Sequence, residues 1–407
     1  MNFGEKVQDK KSGLPLEGVR VLDLSRVLAG PMCAQALGDL GAQVIKVEHP
    51  ERGDDTRDWG LRASSGNTAY FNCANRNKQS IGVNLQTPQG QAIVRELAAK
   101  SDVLIQNFKH GGLTKMGLDY EQLQEVNPQL IHCSITGYRT DGPEAARPGY
   151  DLVVQGEAGL MALNGALNQG PLKFGIAAVD MFTGMYAAQA VLASLYERQR
   201  TGRGRKVELA LYDCGVMITS YYGMEALLQG NDPPKYGNEH PSIVPYGVFD
   251  AQDGPVVITV GNNAQFQRFC TDVIGRLDLA QDARFATNIE RSRNRAELLP
   301  ELRRELQRRS RKQILESLTK AGIPCGEVLG LHEALSSARS LQAGLLTEAR
   351  NPKGVDQVLA PPYRIDGERL PVRLAPPLLA QSTDEILGGI LGMDAGRIGQ
   401  LKAEGVL

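Results

Sequence analysis

The chain has 407 residues, 45 of them basic and 46 acidic, for a formal net charge of -1. That balance excludes the long-range pull toward nucleic acid or anionic membrane that a strongly basic protein exerts. Hydrophobic content of 42% with 22% charged residues is that of a globular protein, not a disordered or fibrous one, and the length accommodates two domains of about 150 residues or more.

The opening residues, Met1 to Lys11, hold no apolar segment, so no secretory signal is expected. Residues 16–48 read strand, helix, strand. Val19 to Leu24 is β-rich, Ala29-Gly30-Pro31 is a turn into a helix from Met32 to Leu40, Gly41 stops that helix, and Ala42 to Glu48 is a second strand. Ser80 to Leu85, Val103 to Gln106, Leu130 to Ile135 and Val207 to Leu211 are further strands, with a helix from Pro88 to Lys100. Such alternation predicts parallel strands in a large, doubly wound, Rossmann-like α/β domain. Neither G-x-G-x-x-G after the first strand nor a G-x-x-x-x-G-K-S/T loop is present, so no dinucleotide or P-loop site is expected. Thr201-Gly202-Arg203-Gly204-Arg205 is a helix-ending turn.

Gly230-Asn231-Asp232-Pro233-Pro234 marks a linker. Beyond it, Pro245 to Asp250 and Val256 to Val260 form a hairpin around Asp253-Gly254. Helices follow at Ala264 to Ile274, Arg293 to Arg309 and Arg311 to Ala321, with Ser310 as a cap, and then a strand from Ile323 to Val328. The basic run Arg303, Arg304, Arg308, Arg309 and Arg311 alternates with Glu301, Glu305 and Glu316 and reads as a solvated helix face. Residues 226–339 are taken as a smaller α/β domain. From about 340 the chain is rich in Pro and Leu, with a last helix at Thr383 to Leu391, and returns to the first domain. The large domain is thus discontinuous, 1–225 and 340–407. Six cysteines (Cys33, Cys73, Cys133, Cys214, Cys270, Cys325) lack C-x-x-C spacing, so neither a metal site nor a disulfide framework is expected. Reduced thiols suit the cytoplasm. The longest uncharged apolar stretch ends near Tyr196 and falls short of the ~20 residues a bilayer span requires.

Asp180 stands out. It is the one charge between Lys173 and Glu197. Burying an unpaired carboxylate costs several kcal/mol, so its position needs a reason. A structural reason is at hand: Asp180 precedes a helical run, Met181 to Tyr196, and Asp is a favoured N-cap. A chemical one is compatible with it, since a carboxylate held on backbone N–H groups and shielded from water can attack a carbonyl.

Several segments in order carry a family pattern: Leu16-Glu17-Gly18-Val19-Arg20-Val21-Leu22-Asp23, Leu40-Gly41-Ala42-Gln43-Val44-Ile45-Lys46-Val47-Glu48, Gly53-Asp54-Asp55-Thr56-Arg57, Asn75-Arg76-Asn77-Lys78, Asn107-Phe108 through Met116-Gly117, Ser134-Ile135-Thr136-Gly137-Tyr138, Arg147-Pro148-Gly149-Tyr150-Asp151 and Gly322-Ile323-Pro324-Cys325-Gly326. Over nearly its whole length the chain resembles the class III CoA-transferases, the family of formyl-CoA transferase and α-methylacyl-CoA racemase. Gly237-Asn238-Glu239-His240-Pro241 and Val260-Gly261-Asn262-Asn263 resemble the dicarboxylate branch, that of succinyl-CoA:glutarate CoA-transferase.

The resemblance implies transfer of CoA from an acyl-CoA, succinyl-CoA foremost, to a dicarboxylic acid such as glutarate, itaconate, citramalate, mesaconate or hydroxymethylglutarate. It implies Asp180 as catalytic nucleophile, passing through mixed-anhydride and aspartyl-CoA thioester intermediates, and an interlocked homodimer. CoA and acyl-CoA are substrates, with no tightly bound cofactor. By position, Arg26, Val27, Ala29, Val83, Leu85, Asn107, Lys115, Met116 and Tyr150 would meet CoA. Leu28 and His49 depart from the family's Gln and Arg. A dicarboxylate's unreacted end needs a cation, for which Arg76, Lys78, Arg147, Lys173 and His240 are candidates. Gly261-Asn262-Asn263 and Tyr236-Gly237-Asn238 are candidate oxyanion donors.

Two other readings are open. Racemase chemistry needs a base at Cα, and where the racemases carry His this chain has Tyr150 beside Asp151; a tyrosine, ordinarily ionising near about pH 10, is a poor base at neutral pH. A non-catalytic CoA-binding protein would use Asp180 as a cap alone.

Overall fold

The computed structural model describes residues 13–407, so the expectation drawn from Met1 to Lys11 lies outside the described residues. Six strands build one sheet: β1 (Arg20–Asp23), β2 (Gln43–Glu48), β3 (Lys78–Gly82), β4 (Val103–Gln106), β5 (Ile131–Thr136) and β6 (Lys206–Ala210). Their order is β3-β2-β1-β4-β5-β6 and every pairing is parallel. This is the doubly wound arrangement, whose strand order reverses between β1 and β4.

The strands are apolar on both faces because both are covered. Val21 enters one core with Cys33, Ile105, Cys133 and Val191, while Leu22 enters the opposite core with Ile45, Ile81, Ile93 and Leu104. Successive side chains on a strand point to opposite sides, so such runs are typical of a sheet sandwiched by helices. The first helix runs Ala29–Asp39, beginning three residues before the expected Met32. Pro31 is tolerated there because a residue in the first turn has no helical acceptor for its N–H.

A buried polar network stands behind the loop that follows β1. Lys46 pairs with Asp54 at 2.9 Å and donates to the Ser25 carbonyl at 2.8 Å. Lys78 pairs with Asp23 at 2.8 Å and also donates to the Pro31 carbonyl and Asn75. Arg57 meets Glu48 through Nε at 2.8 Å and a terminal nitrogen at 2.6 Å. Charges this deep persist only when paired and hydrogen-bonded.

The described residues divide into two compact units. One comprises the chain to Leu160, Lys173–Glu225 and Ala338–Leu407; the other comprises Met161–Leu172 and Ala226–Ser337. Residues 161–172, assigned from sequence to the large domain, group with the second unit. Lys235 Nζ fixes them there by donating to the carbonyls of Gln169 (3.0 Å) and Gly170 (2.6 Å). The second unit has an antiparallel sheet of β7 (Tyr246–Ala251), β8 (Gly254–Thr259) and β9 (Cys325–Glu327). Phe266, Phe269, Leu298, Leu302 and Ile314 pack on it. Ser310 caps the Arg311–Lys320 helix with a full capping box.

Several elements were absent from the sequence reading. A hairpin, β10 (Leu346–Asn351) and β11 (Gly354–Leu359), occupies the Pro-rich return segment. Its turn is held by Asn351 Oδ1, which accepts from the N–H of Lys353 (2.9 Å) and Gly354 (3.2 Å). A helix at Ala395–Ala403, capped by Asp394, follows the one at Thr383–Leu391, which is therefore not the last.

Candidate active site

At the reversal point, the loops leaving the carboxyl ends of β1, β4 and β5 border one depression. Arg26, Val27, Leu28 and Ala29 come from the first, Asn107 and Phe108 from the second, and Gly137 from the third. Arg147, Tyr150 and Asp180 complete it. Ligands of doubly wound sheets sit in this crevice.

Asp180 is not the cap that local sequence suggested. The long helix starts at Ala178 and runs to Thr201, with Ala177 at the N-cap and no cap from its side chain. Asp180 therefore lies within the first turn. The cap is supplied from elsewhere: Asp151 Oδ2 accepts from the N–H of Val179 at 2.8 Å and of Asp180 at 3.3 Å. Asp180's carboxylate rests on no backbone N–H, contrary to expectation, and it is only 9% exposed. Burial, and then the like charge of Asp151, push its pKa from an ordinary 3.8 up to about 7. Tyr70 lies within its field, and burial and Asp180 raise the phenol's pKa, keeping the hydroxyl neutral.

The residues expected at CoA divide into groups. Arg26, Val27, Ala29, Asn107 and Tyr150 border the Asp180 depression. Val83 and Leu85 border a second one with His49 and Arg52, and the two depressions share Arg26, Asp55 and Phe108. Together they offer a track with a carboxylate at one end and cations at the other. Asn107 is committed to the protein itself, for its side chain accepts from Arg26 N–H (2.9 Å) and donates to the Arg26 carbonyl (2.7 Å). Lys115 and Met116 border neither depression; they lie on a short 3-10 turn, Thr114–Met116, where Met116 packs against a core.

Of the expected cations, only Arg147 borders the depression. It lies over the Tyr138 ring at 4.6 Å and is held by Glu144 at 2.7 Å and by Glu157. Arg76 and Lys78 are corrected to structural roles. Both are buried, Arg76 on Asp39 and Lys78 on Asp23. Lys173 donates to the Phe174 carbonyl at 3.2 Å. His240 belongs to the second unit, where Nδ1 accepts from Ser242 and Ile243 N–H at 3.1 Å each. In the same unit Gly261 N–H is already taken by Gln265 Oε1 at 2.8 Å, which removes it as an oxyanion donor. Asp151, to which sequence reasoning attached no role, caps the helix that holds Asp180 and sets a like charge beside that residue. Among the described residues, no cluster of His, Cys, Asp and Glu suits a metal ion.

The chain matches CoA-transferase family III over residues 16–383. It is 40% identical to the succinyl-CoA:glutarate CoA-transferase of Mus musculus, across 99% of this chain and 93% of that protein. It is 41% identical to the succinate–glutarate CoA-transferase of Agrobacterium fabrum, across 81% of this chain and 84% of that one. A crystal structure of a CaiB/BaiF family protein from Brucella suis superposes with a TM-score of 0.82 at 40% identity, covering 93% of this chain and 100% of that one. This chain belongs to CoA-transferase family III and is a CoA-transferase.

Proposed function

We propose that the enzyme moves CoA from succinyl-CoA to a five-carbon dicarboxylic acid, glutarate being the first candidate, with Asp180 as nucleophile. Among the described residues no hydrogen-bond donor meets the Asp180 carboxylate, although it is nearly buried. That bare, raised carboxylate carries the reading, because a purely structural aspartate in this fold would be expected to have a partner. Asp180 attacks the thioester carbonyl and expels CoA thiolate, leaving a mixed anhydride. The thiolate attacks the Asp180 carbonyl of that anhydride, releasing the donor acid and leaving an aspartyl-CoA thioester. The acceptor acid then attacks, and a second anhydride is resolved by CoA. An anhydride conserves the thioester's activation, and a dry site protects it from hydrolysis. Buried Val179 and Ala178 beside Asp180 suit that need. Arg147, with a planar fork suited to carboxylates, is the cation for the acceptor's free end.

The working form is proposed to be a homodimer. Phe182, Met185, Tyr212, Val216, Met217 and Met224 are large apolar side chains left exposed on a single chain, and such surfaces mark partner contacts. A stable 44.1 kDa species in solution would exclude it. No helix among the described residues is long and apolar enough to cross a membrane. The six cysteines are free, which supports a cytoplasmic setting.

The test is to quench turnover with hydroxylamine or borohydride and to locate the modified peptide by mass, over a panel of the five named acceptors. A product at Asp180 with succinyl-CoA and glutarate is expected. No adduct at Asp180 under any donor would end the covalent reading. Deuterium exchange into a 2-methylacyl-CoA would favour the racemase instead.

A further inference from the structure

We infer that the bare N-terminus of the Ala29–Asp39 helix is the oxyanion site for attack by Asp180, and that Gly184 and the Val27 turn position it. This rests on Asp180 being the nucleophile. The helix has eleven residues and Leu28 at its N-cap offers no side-chain acceptor. Met32 N–H reaches the Leu28 carbonyl at 2.8 Å. Among the described residues, no acceptor meets the N–H of Leu28, Ala29 or Gly30, and Pro31 has none to offer. Leu28 and Ala29 border the same depression as Asp180. A helix terminus carries a partial positive charge on these donors, and fixed donors aimed at developing charge cost no reorganisation during reaction.

The surrounding loop is clamped so that its other donors are spent. Arg26 N–H goes to Asn107 and Val27 N–H to Asp54 Oδ1 at 3.3 Å, and Asp54 is itself anchored by Lys46. Val27 is held at φ +71°, a strained outlier for a β-branched residue. Gly184 follows Asp180 by one helical turn. A Cβ there would stand 2.6 Å from the Ala29 carbonyl oxygen and 2.9 Å from Met32 Cβ, so the close approach of the two helices depends on hydrogen at that position.

The chemistry balances without a proton. As an Asp180 oxygen bonds to the thioester carbon, the carbonyl pair moves onto oxygen, and the Leu28 and Ala29 N–H groups hold that anion. The pair returns as the C–S bond breaks and thiolate departs.

Two variants test it in the intact enzyme. In one, Ala29 is replaced by lactic acid through suppressed translation, exchanging its N–H for an ester oxygen. The other is Gly184→Ala. In each, the rate at which the Asp180 adduct forms in a single turnover of succinyl-CoA is followed beside the Kd for CoA. The expected result is a fall on the order of 10²-fold in rate, with the Kd within about threefold. The ester also weakens the Leu28 carbonyl that accepts from Met32, so Gly184→Ala is the independent check. Native rates in either variant, with the adduct still on Asp180, overturn the donor assignment and leave the nucleophile standing. A loss confined to the Kd overturns it too, making the helix end a binding element. Absence of any Asp180 adduct in the native enzyme removes the nucleophile, and this inference with it.

Discussion

Asp54 and Asp180 are both buried in the same unit, and their surroundings could hardly differ more. Burial alone would raise Asp54's pKa, but Lys46 and the Thr56 N–H and hydroxyl outweigh it and bring it down to about 2. Asp180 has burial and Asp151 against it and sits at about 7. The fold can evidently partner an interior carboxylate, and it does so four times over with Asp23, Asp39, Glu48 and Asp54. The exception is the one that borders the crevice at the sheet's reversal point. Stability is sacrificed at that spot, which is where the proposed reaction needs a carboxylate with no partner.

The largest effect is expected from Asp180→Asn, which removes the proposed nucleophile. The kcat should fall by about 10³-fold or more, read from thioester transfer under saturating substrates. The same variant should be more stable than the native enzyme. Below the ordinary 3.8 both folded and unfolded forms are neutral and the two proteins match. Between 3.8 and about 7 the unfolded chain ionises at position 180 while the native fold keeps the group protonated, so the native enzyme loses stability that the Asn variant keeps, and the gap levels off above about 7. At roughly 1.4 kcal/mol per pH decade the gap approaches about 4 kcal/mol by pH 8, measured by urea unfolding at pH 4 and 8. A gap that does not widen with pH would break the contrast between the two aspartates.

Lys46→Met attacks the other side of the comparison. It strands Asp54 without its cation and should cost about 3–5 kcal/mol in unfolding free energy; a loss below about 1 kcal/mol would mean the network is not what holds that aspartate ionised. Asp151→Asn sharpens the Asp180 side. Asn can still accept the Val179 and Asp180 N–H groups, but the like charge is gone, so the pKa of Asp180 should fall. The acid limb of kcat/KM, which reports the free enzyme, should rise through about pH 7 in the native protein and move to lower pH in the variant. An unmoved limb would remove Asp151 as the tuning charge. The smallest effect marks the baseline: the exposed pair Arg62–Asp58 should contribute no more than about 0.5 kcal/mol, read from Arg62→Ala.

The parallel sheet was legible because its strands are apolar runs bounded by turn residues; Val103–Gln106 has the expected ends. Strand β3 was placed late, at Ser80, because Lys78 looks like a loop residue. Its partner Asp23 is 55 positions away, and no local pattern reveals such a pair. Ala29-Gly30-Pro31 looked like a turn for the same composition that lets a helix begin there. The β10–β11 hairpin was hidden by prolines, although Asn351 and Gly354 around its turn were a usable signal. Asp180 was conspicuous as a lone charge, and its partner Asp151 was not. The capping contact joins residues 29 apart, and only the folded chain brings them together.

The core of the first unit is closed by a segment made long after its sheet. Ile386, Leu387, Ile398, Leu401 and Val406 fill the core beneath Leu22 and Ile45. Backbone bonds join Ser382 to Ser80 and Asn84 to Val406 at 2.9 and 2.8 Å. During translation that face of the sheet stays bare until residues 382–406 have been made. The nascent polypeptide must therefore carry an uncovered apolar surface until that segment is made, a state that invites chaperones.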